Sequence, residues 1–270
     1  MTCYRHPERE AYVRCQRCER FICPDCQTAS AVGFLCPEDA GVRVVTPTVK
    51  RTRNGLPITT SVVLAVTVVV YLLQLIPGIY LTEYLAYVPI ATTVEPWRMI
   101  TAGFVHDTNF AGNPSAILHV VFNMYLFVAL GRQLEPQLGS WRFALLYLAS
   151  IFGGSVAVLI FGSPTGWVIG ASGGVFGVMG AFLVVLRSLN LNSSSIVSLI
   201  AINLVFSFAV PGVSWQAHVG GLVTGVALAL VFANTRNSNQ VALRNIGTAA
   251  VILALVAATA YGITQLPPFV

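Results

Sequence analysis

The chain has 270 residues and a net charge of +5, with 9% charged residues against 56% hydrophobic ones. A soluble domain carries about 25% charged residues, so this deficit, with a mean hydropathy of +0.76, excludes a water-soluble globular enzyme and predicts an integral membrane protein. The basic residues are scattered and mostly flank apolar runs, which argues against nucleic acid as a partner.

Charge and cysteine are unevenly placed. All six cysteines lie between Cys3 and Cys36, and no Asp or Glu follows Glu135. A small polar head, residues 1–42, therefore precedes a large apolar body. The N-terminus, MTCYRHPERE, lacks the apolar run of a signal peptide.

The head reads CYRH, CQRC, CPDC and CPED. The pairs Cys3/His6, Cys15/Cys18, Cys23/Cys26 and Cys36/Asp39 each have two residues between their members, a spacing that lets one turn present two ligands to a metal. Four pairs suit two tetrahedral zinc sites. Cross-braced pairing would join Cys3, His6, Cys23 and Cys26 on one ion, and Cys15, Cys18, Cys36 and Asp39 on the other; sequential pairing remains open. Asp39 is the hardest ligand of the set. Three disulfides are the alternative, disfavoured if the head is cytosolic, where thiols stay reduced. So short a segment builds little apolar core, so the zinc is read as structural. The arrangement resembles a B-box-type zinc finger, a likeness that implies a cytosolic protein contact without identifying one.

A basic linker, 43–57, follows. Its Arg43, Lys50, Arg51 and Arg53 precede the first apolar run and could touch anionic lipid. A membrane-crossing helix needs roughly 20 mainly apolar residues. Such runs occur near 58–77, 115–131, 143–162, 169–186, 195–210, 215–233 and 246–264. Between the first two, residues 78–114 contain prolines, Trp97 and Arg98, and read as a folded or interface-lying loop. With the head cytosolic, the inner loops contain Arg132 and Arg142, then Arg187, then Arg236 and Arg244; the outer loops contain Arg98 alone. The positive-inside rule then puts the N-terminus in the cytosol and the C-terminus outside, in the plasma membrane. Ser172, His119 and His218 fall at one depth, near the outer ends of their spans.

Ionisable residues inside spans are costly and point to function. In HVVFN, His119 and Asn123 are four apart and share a helix face. Two neutral donors on one face could hold an oxyanion, or could simply bond a neighbouring helix. In AHVGGLVTG, Ala217, Gly221 and Gly225 recur every four residues, and VIGASGGVFG repeats the spacing at Gly173 and Gly177. Such stripes let two helices approach closely. Ser172 precedes one stripe and His218 lies beside the other, so partnered helices would bring a hydroxyl towards an imidazole, the requirement of a base-activated serine. Taken singly, each feature is also explained by packing.

Together, GASG (Gly170–Gly173), AHVGGLVTG and HVVFN resemble the three signature segments of the rhomboid intramembrane serine proteases. EPWRMITAGFVH (Glu95–His106) resembles the family's first loop, and RQLEPQLGSWRF (Arg132–Phe143) its next connection. The likeness covers roughly 58–233. It implies Ser172 as nucleophile, His218 as general base, and His119, Asn123 and the Ser172 N–H as oxyanion hole. The implied fold is an all-α polytopic membrane protein with a rhomboid-like six-helix core, one extra C-terminal helix in 234–270, and the zinc-binding head in front. Phe176 stands where the family often has Tyr. His106 is left outside the catalytic set. No acidic residue is placed to orient His218, so a Ser–His dyad is expected, with Phe176 packing on the imidazole. The implied substrates are membrane-anchored proteins, cut near the outer face of the bilayer with no catalytic cofactor. A catalytically inactive rhomboid-like binder of membrane proteins, a transporter and a membrane-anchored zinc-finger adaptor are the rivals. The spans contain no carboxylate for transport, and an adaptor leaves the polar residues within spans unexplained.

Overall fold

The computed structural model describes residues 1–29, 33–40, 55–109 and 116–267. Most of the expected basic linker, including Arg43, Lys50, Arg51 and Arg53, and the end of the loop before His119 lie outside the described residues. The chain divides into two compact units, Met1–Arg53 and Asn54–Val270.

The first unit contains two antiparallel hairpins and a short helical turn. Strand β1 (Val13–Arg14) pairs with β2 (Phe21–Ile22), and β3 (Thr28–Ala29) with β4 (Phe34–Leu35). Helix α1 is Pro37–Ala40. Two-residue strands have too few ladder bonds to stand alone. Their interior is mainly sulfur: among the described residues Cys3, Cys15, Cys23, Cys26 and Cys36 are buried together with Ala11 and Ile22.

The second unit is helical. Its long helices are α2 (Ile58–Gln74), α5 (Ala116–Leu138), α6 (Ser140–Phe161), α7 (Ser172–Ser188), α8 (Ser194–Ala209), α9 (Trp215–Asn234) and α10 (Val241–Thr264); α3 (Leu81–Leu85) and α4 (Arg98–Thr101) lie between α2 and α5. Each expected apolar run is thus a helix. Helices α5, α6, α9 and the segment Ser238–Thr264 are long and apolar enough to cross a bilayer, whereas α2, α7 and α8 are shorter apolar helices. At 1.5 Å per residue, the 17 residues of α7 reach about 25 Å, less than the ~30 Å hydrocarbon layer. Protein on all sides tolerates this: every residue from Gly173 to Ala181 is buried. By contrast, α2, α8 and α10 expose Val62, Val69, Leu72, Ile202, Val205, Leu253 and Val256, apolar area of the kind lipid covers.

Two boundaries depart from the hydropathy reading. The second run ends near 131, but α5 continues to Leu138. Helix geometry there is held by polar contacts that hydropathy does not score. The Glu135 carboxylate accepts from the Thr59 N–H at 2.8 Å, the Thr60 N–H at 2.8 Å, the Thr60 hydroxyl at 2.7 Å and the Ser140 hydroxyl at 2.6 Å. It thereby satisfies two of the free N–H groups at the start of α2 and ties α2, α5 and α6 together. The fourth run begins near 169, but α7 begins at Ser172 because Val168 is paired with Tyr87 and the chain turns at Gly170, whose φ is +116°.

The connection 78–109 is folded, as its composition suggested. Arg98 pairs with Glu95 at 2.8 Å and donates to the carbonyls of Glu83 at 2.5 Å and Ala86 at 3.1 Å. Ser155 on α6 donates to the Met99 carbonyl at 2.7 Å. Tyr87 and Val168 exchange both backbone bonds, at 3.0 and 2.9 Å, and the Gly170 N–H donates to the Ala102 carbonyl at 2.9 Å. This loop is the clamp that positions the approach to Ser172.

Candidate functional site

Gly170 adopts a φ of +116°, a conformation that side-chain-bearing residues rarely take. The chain turns there and enters α7 at Ser172. The first intrahelical bond runs from the Val175 N–H to the Ala171 carbonyl. The N–H groups of Ser172, Gly173 and Gly174 therefore precede the ladder and present the positive end of a 17-residue helix. A Cβ at Gly170 would lie 3.0 Å from His119 Cε1, 3.2 Å from its Nε2 and 3.8 Å from Ser172 Oγ. His119 and Ser172 thus border one small space that only a glycine leaves open.

Helices α7 and α9 touch backbone to backbone. A Cβ at Gly221 would stand 2.0 Å from the Gly173 carbonyl oxygen, and one at Gly225 would stand 2.1 Å from that of Gly177. A Cβ at Gly173 would lie 3.4 Å from the Ala217 carbonyl oxygen. Ser172 and His218 are thus each one residue from the contact. The two glycine stripes meet as their spacing suggested.

His218 is buried. Its ring stacks on Phe176, with centroids 4.3 Å apart and planes 18° from parallel. The hydroxyl of Ser207, on α8, lies 2.5 Å from His218 Nδ1. Among the described residues no hydrogen bond joins Ser172 Oγ to His218, a looseness ordinary for catalytic pairs without substrate. Asn123 is buried, and its amide donates to the His119 carbonyl of its own helix at 2.9 Å; the amide has a second N–H.

Two further polar groups lie close to these residues: His106, left outside the catalytic set, and Ser207, not singled out in the sequence. His106 is fully buried, contacts the His119 ring edge-on at 5.3 Å between centroids, and accepts the Ala171 N–H on Nε2 at 3.3 Å. Its backbone is held in both directions by Gln74, at 2.9 and 3.1 Å. The sequence signal for His106 is a further histidine 13 residues before His119, within the segment that resembles the family's first loop. Ser207 had no signal beyond being a hydroxyl in an apolar run, which is commonplace in spans.

A groove of about 190 Å³ is lined by residues including Val158, Gly162, Val168, Val213 and Gln216. Neither Ser172 nor His218 lines it, so the chemistry is not assigned to it.

The head contains a second kind of site. Cys3, His6, Cys23 and Cys26 form one group, and Cys15, Cys18, Cys36 and Asp39 another; in each, one ligand atom per residue lies within 4.8 Å of all the others. The structure thus selects the cross-braced pairing over the sequential one. All six cysteines are free thiols. A tetrahedral zinc with Zn–S bonds near 2.3 Å would separate its sulfurs by about 3.8 Å, and the Cys18 and Cys36 sulfurs are 3.8 Å apart. Asp39 Oδ2 lies 3.2 Å from both Cys15 and Cys36 Sγ. Burial and the neighbouring Cys23 and Cys3 thiols push the Cys26 thiol up to about 11. Hydrogen bonds from the Cys18, Cys36 and Cys15 thiols hold the Asp39 carboxyl down at about 2. A bound cation would offset the cost of gathering several anionic donors in one place. Both groups fit a metal ion.

Comparison with known proteins bears on the body of the chain. A family model described as the Rhomboid domain matches residues 93–235, just over half of the chain. RHOMBOID-like protein 6, mitochondrial, of Arabidopsis thaliana is 35% identical over 158 residues, covering 56% of this chain and 48% of that protein. Rhomboid protease GluP of Bacillus subtilis (strain 168) is 34% identical over 184 residues, covering 64% of this chain and 34% of that protein. Rhomboid-related protein 3 of Homo sapiens is 30% identical over 183 residues, covering 60% and 42%. The chain therefore spans between about a third and a half of the length of these relatives. The matched stretch contains His106, His119, Asn123, Ser172, Ser207 and His218. From helices long and apolar enough to span a bilayer, and from this match, the chain is a membrane protein that belongs to the rhomboid family.

Proposed function

We propose that this chain is an intramembrane serine endopeptidase that cuts membrane-anchored proteins near the outer face of the bilayer. The observation that carries the reading is the glycine-to-glycine contact of α7 with α9, with Ser172 and His218 each one residue away from it. Ser172 Oγ attacks a substrate carbonyl while His218 Nε2 takes its proton. The oxyanion is held by the Ser172 N–H at the positive end of α7, by the Asn123 amide and by His119; one such donor is worth about 2.7–4 kcal/mol of barrier. His218 then protonates the leaving amine, and water releases the acyl-enzyme. Because a helix hides its carbonyls in hydrogen bonds, substrates carry a segment that unwinds near the outer boundary.

In this reading the N-terminus is cytosolic, the C-terminus is outside, and the membrane is the plasma membrane. The domains are the head at 1–42, linker at 43–57, protease core at 58–233 and extra helix in 234–270. The head holds two structural zinc ions, one on Cys3, His6, Cys23 and Cys26 and one on Cys15, Cys18, Cys36 and Asp39, and it offers a surface to a cytosolic protein.

The test is cleavage of a model transmembrane substrate in liposomes, with fluorophosphonate labelling of the serine. Cleavage disappears in Ser172→Ala and in His218→Ala while thermal stability is kept. Wild-type cleavage by Ser172→Ala would refute the proposal. A non-catalytic membrane-protein binder is the second reading. It requires that the wild-type chain neither cleaves nor labels.

A further inference from the structure

Among the described residues no carboxylate bonds His218, and the hydroxyl of Ser207 meets its Nδ1 instead. Ser207 Oγ makes two short contacts: 2.6 Å to the Asn203 carbonyl oxygen, one turn back on α8, and 2.5 Å to His218 Nδ1. A serine has one hydroxyl proton, and a carbonyl oxygen can only accept. Two oxygens 2.6 Å apart need a proton between them, so the hydroxyl proton points at Asn203. The oxygen lone pair then faces Nδ1, and that contact is a hydrogen bond only if Nδ1 carries the proton. A neutral imidazole protonated on Nδ1 has its free lone pair on Nε2.

We infer that Ser207 is a positioning residue that holds His218 as the Nδ1–H tautomer, with Nε2 unprotonated. The inference rests on the reading of His218 as the general base. Two constraints then orient the ring. The stack on Phe176 sets its plane, and the bond to Ser207 sets which edge points to α8 and stabilises the imidazolium formed when Nε2 takes the serine proton. Ser207 and His218 are both buried, which limits competition by water for the bond. A neutral oxygen acceptor stabilises a positive ring less than a carboxylate does, so the effect is smaller than that of the aspartate in a Ser–His–Asp triad.

The test measures tautomer and rate separately on the full chain. In ¹⁵N-histidine-labelled protein, with His218 assigned by its loss in His218→Ala, the wild type shows Nδ1 protonated and Nε2 bare. Ser207→Ala shifts His218 towards a mixture of tautomers. It lowers kcat and the rate of fluorophosphonate labelling together by about tenfold, the scale of one hydrogen bond, and leaves KM within about twofold. Ser207→Thr, which keeps the hydroxyl, restores the tautomer and most of the rate; thermal unfolding shows that each variant is folded. A wild-type spectrum with Nε2 protonated overturns the inference. So does a Ser207→Ala variant with unchanged tautomer, or with a shifted tautomer and an unchanged rate. Failure of the protease reading looks different: the wild type itself then neither cleaves nor labels, whatever the tautomer.

Discussion

The backbone contact between α7 and α9 is an informative place to perturb the molecule. A Cβ added by Gly221→Ala would stand 2.0 Å from the Gly173 carbonyl oxygen and 2.7 Å from its carbon. Ordinary contact begins at 3.4 Å, so α7 and α9 must part by about 1.4 Å at this level, the difference of the two distances. The obstacle is backbone, so no rotamer change relieves it. Overpacking of this kind costs about 1–3 kcal/mol, occasionally more. Separation also moves Ser172 away from His218, and a 1 Å misplacement of reacting groups can cost about 10²-fold in rate. Gly221→Ala should therefore lose at least about 100-fold in cleavage rate and unfold several degrees lower. Gly166→Ala is the control: the nearest atom to its Cβ would be Ser163 Cβ at 3.3 Å, close to ordinary contact, and it should stay near wild type. The assay pairs liposome cleavage with thermal unfolding in detergent. A Gly221→Ala protein with wild-type rate and stability would show that the helices are not in backbone contact, and the site's construction would have to be abandoned.

Other outcomes follow from the same contacts. Glu135→Gln leaves one of the Thr59 and Thr60 N–H groups facing an amide donor, so stability in detergent unfolding falls by about 2–4 kcal/mol from the unsatisfied group and the lost helix-end charge; a change under about 0.5 kcal/mol would contradict the role of the carboxylate. Phe176→Leu removes the ring stacked on His218 and should lower kcat by about tenfold, a magnitude expected of one aromatic contact, while Phe176→Tyr keeps the rate; equal rates in both variants would count against the stack. For the head, elemental analysis should find two zinc ions per chain, and Asp39→Ala should lower this towards one; unchanged stoichiometry would remove Asp39 from the ligand set. Chelation of the full chain should unfold the head and leave cleavage largely intact, so loss of cleavage on chelation would contradict a purely structural role for the zinc.

The sequence by itself determined the class of protein and the helices, and it singled out most of the residues proposed for the chemistry. The reason is that each is encoded locally. A run of apolar residues, a two-residue ligand spacing and a four-residue glycine stripe are properties of short windows. The stripes even anticipated the α7–α9 contact, since glycine at every fourth position has little other use on a helix face.

Only the tertiary structure decided the rest. It chose cross-braced over sequential ligand groups, because which turns meet depends on the paths of β1 to β4. It carried α5 past its apolar run to Leu138, because Glu135 finds its donors on α2 and at the start of α6, up to 76 residues away in sequence. It brought His106 against Ala171 and Ser207 against His218. Those two contacts join polar groups on separate segments, and no pattern along one segment says which neighbour a side chain will face.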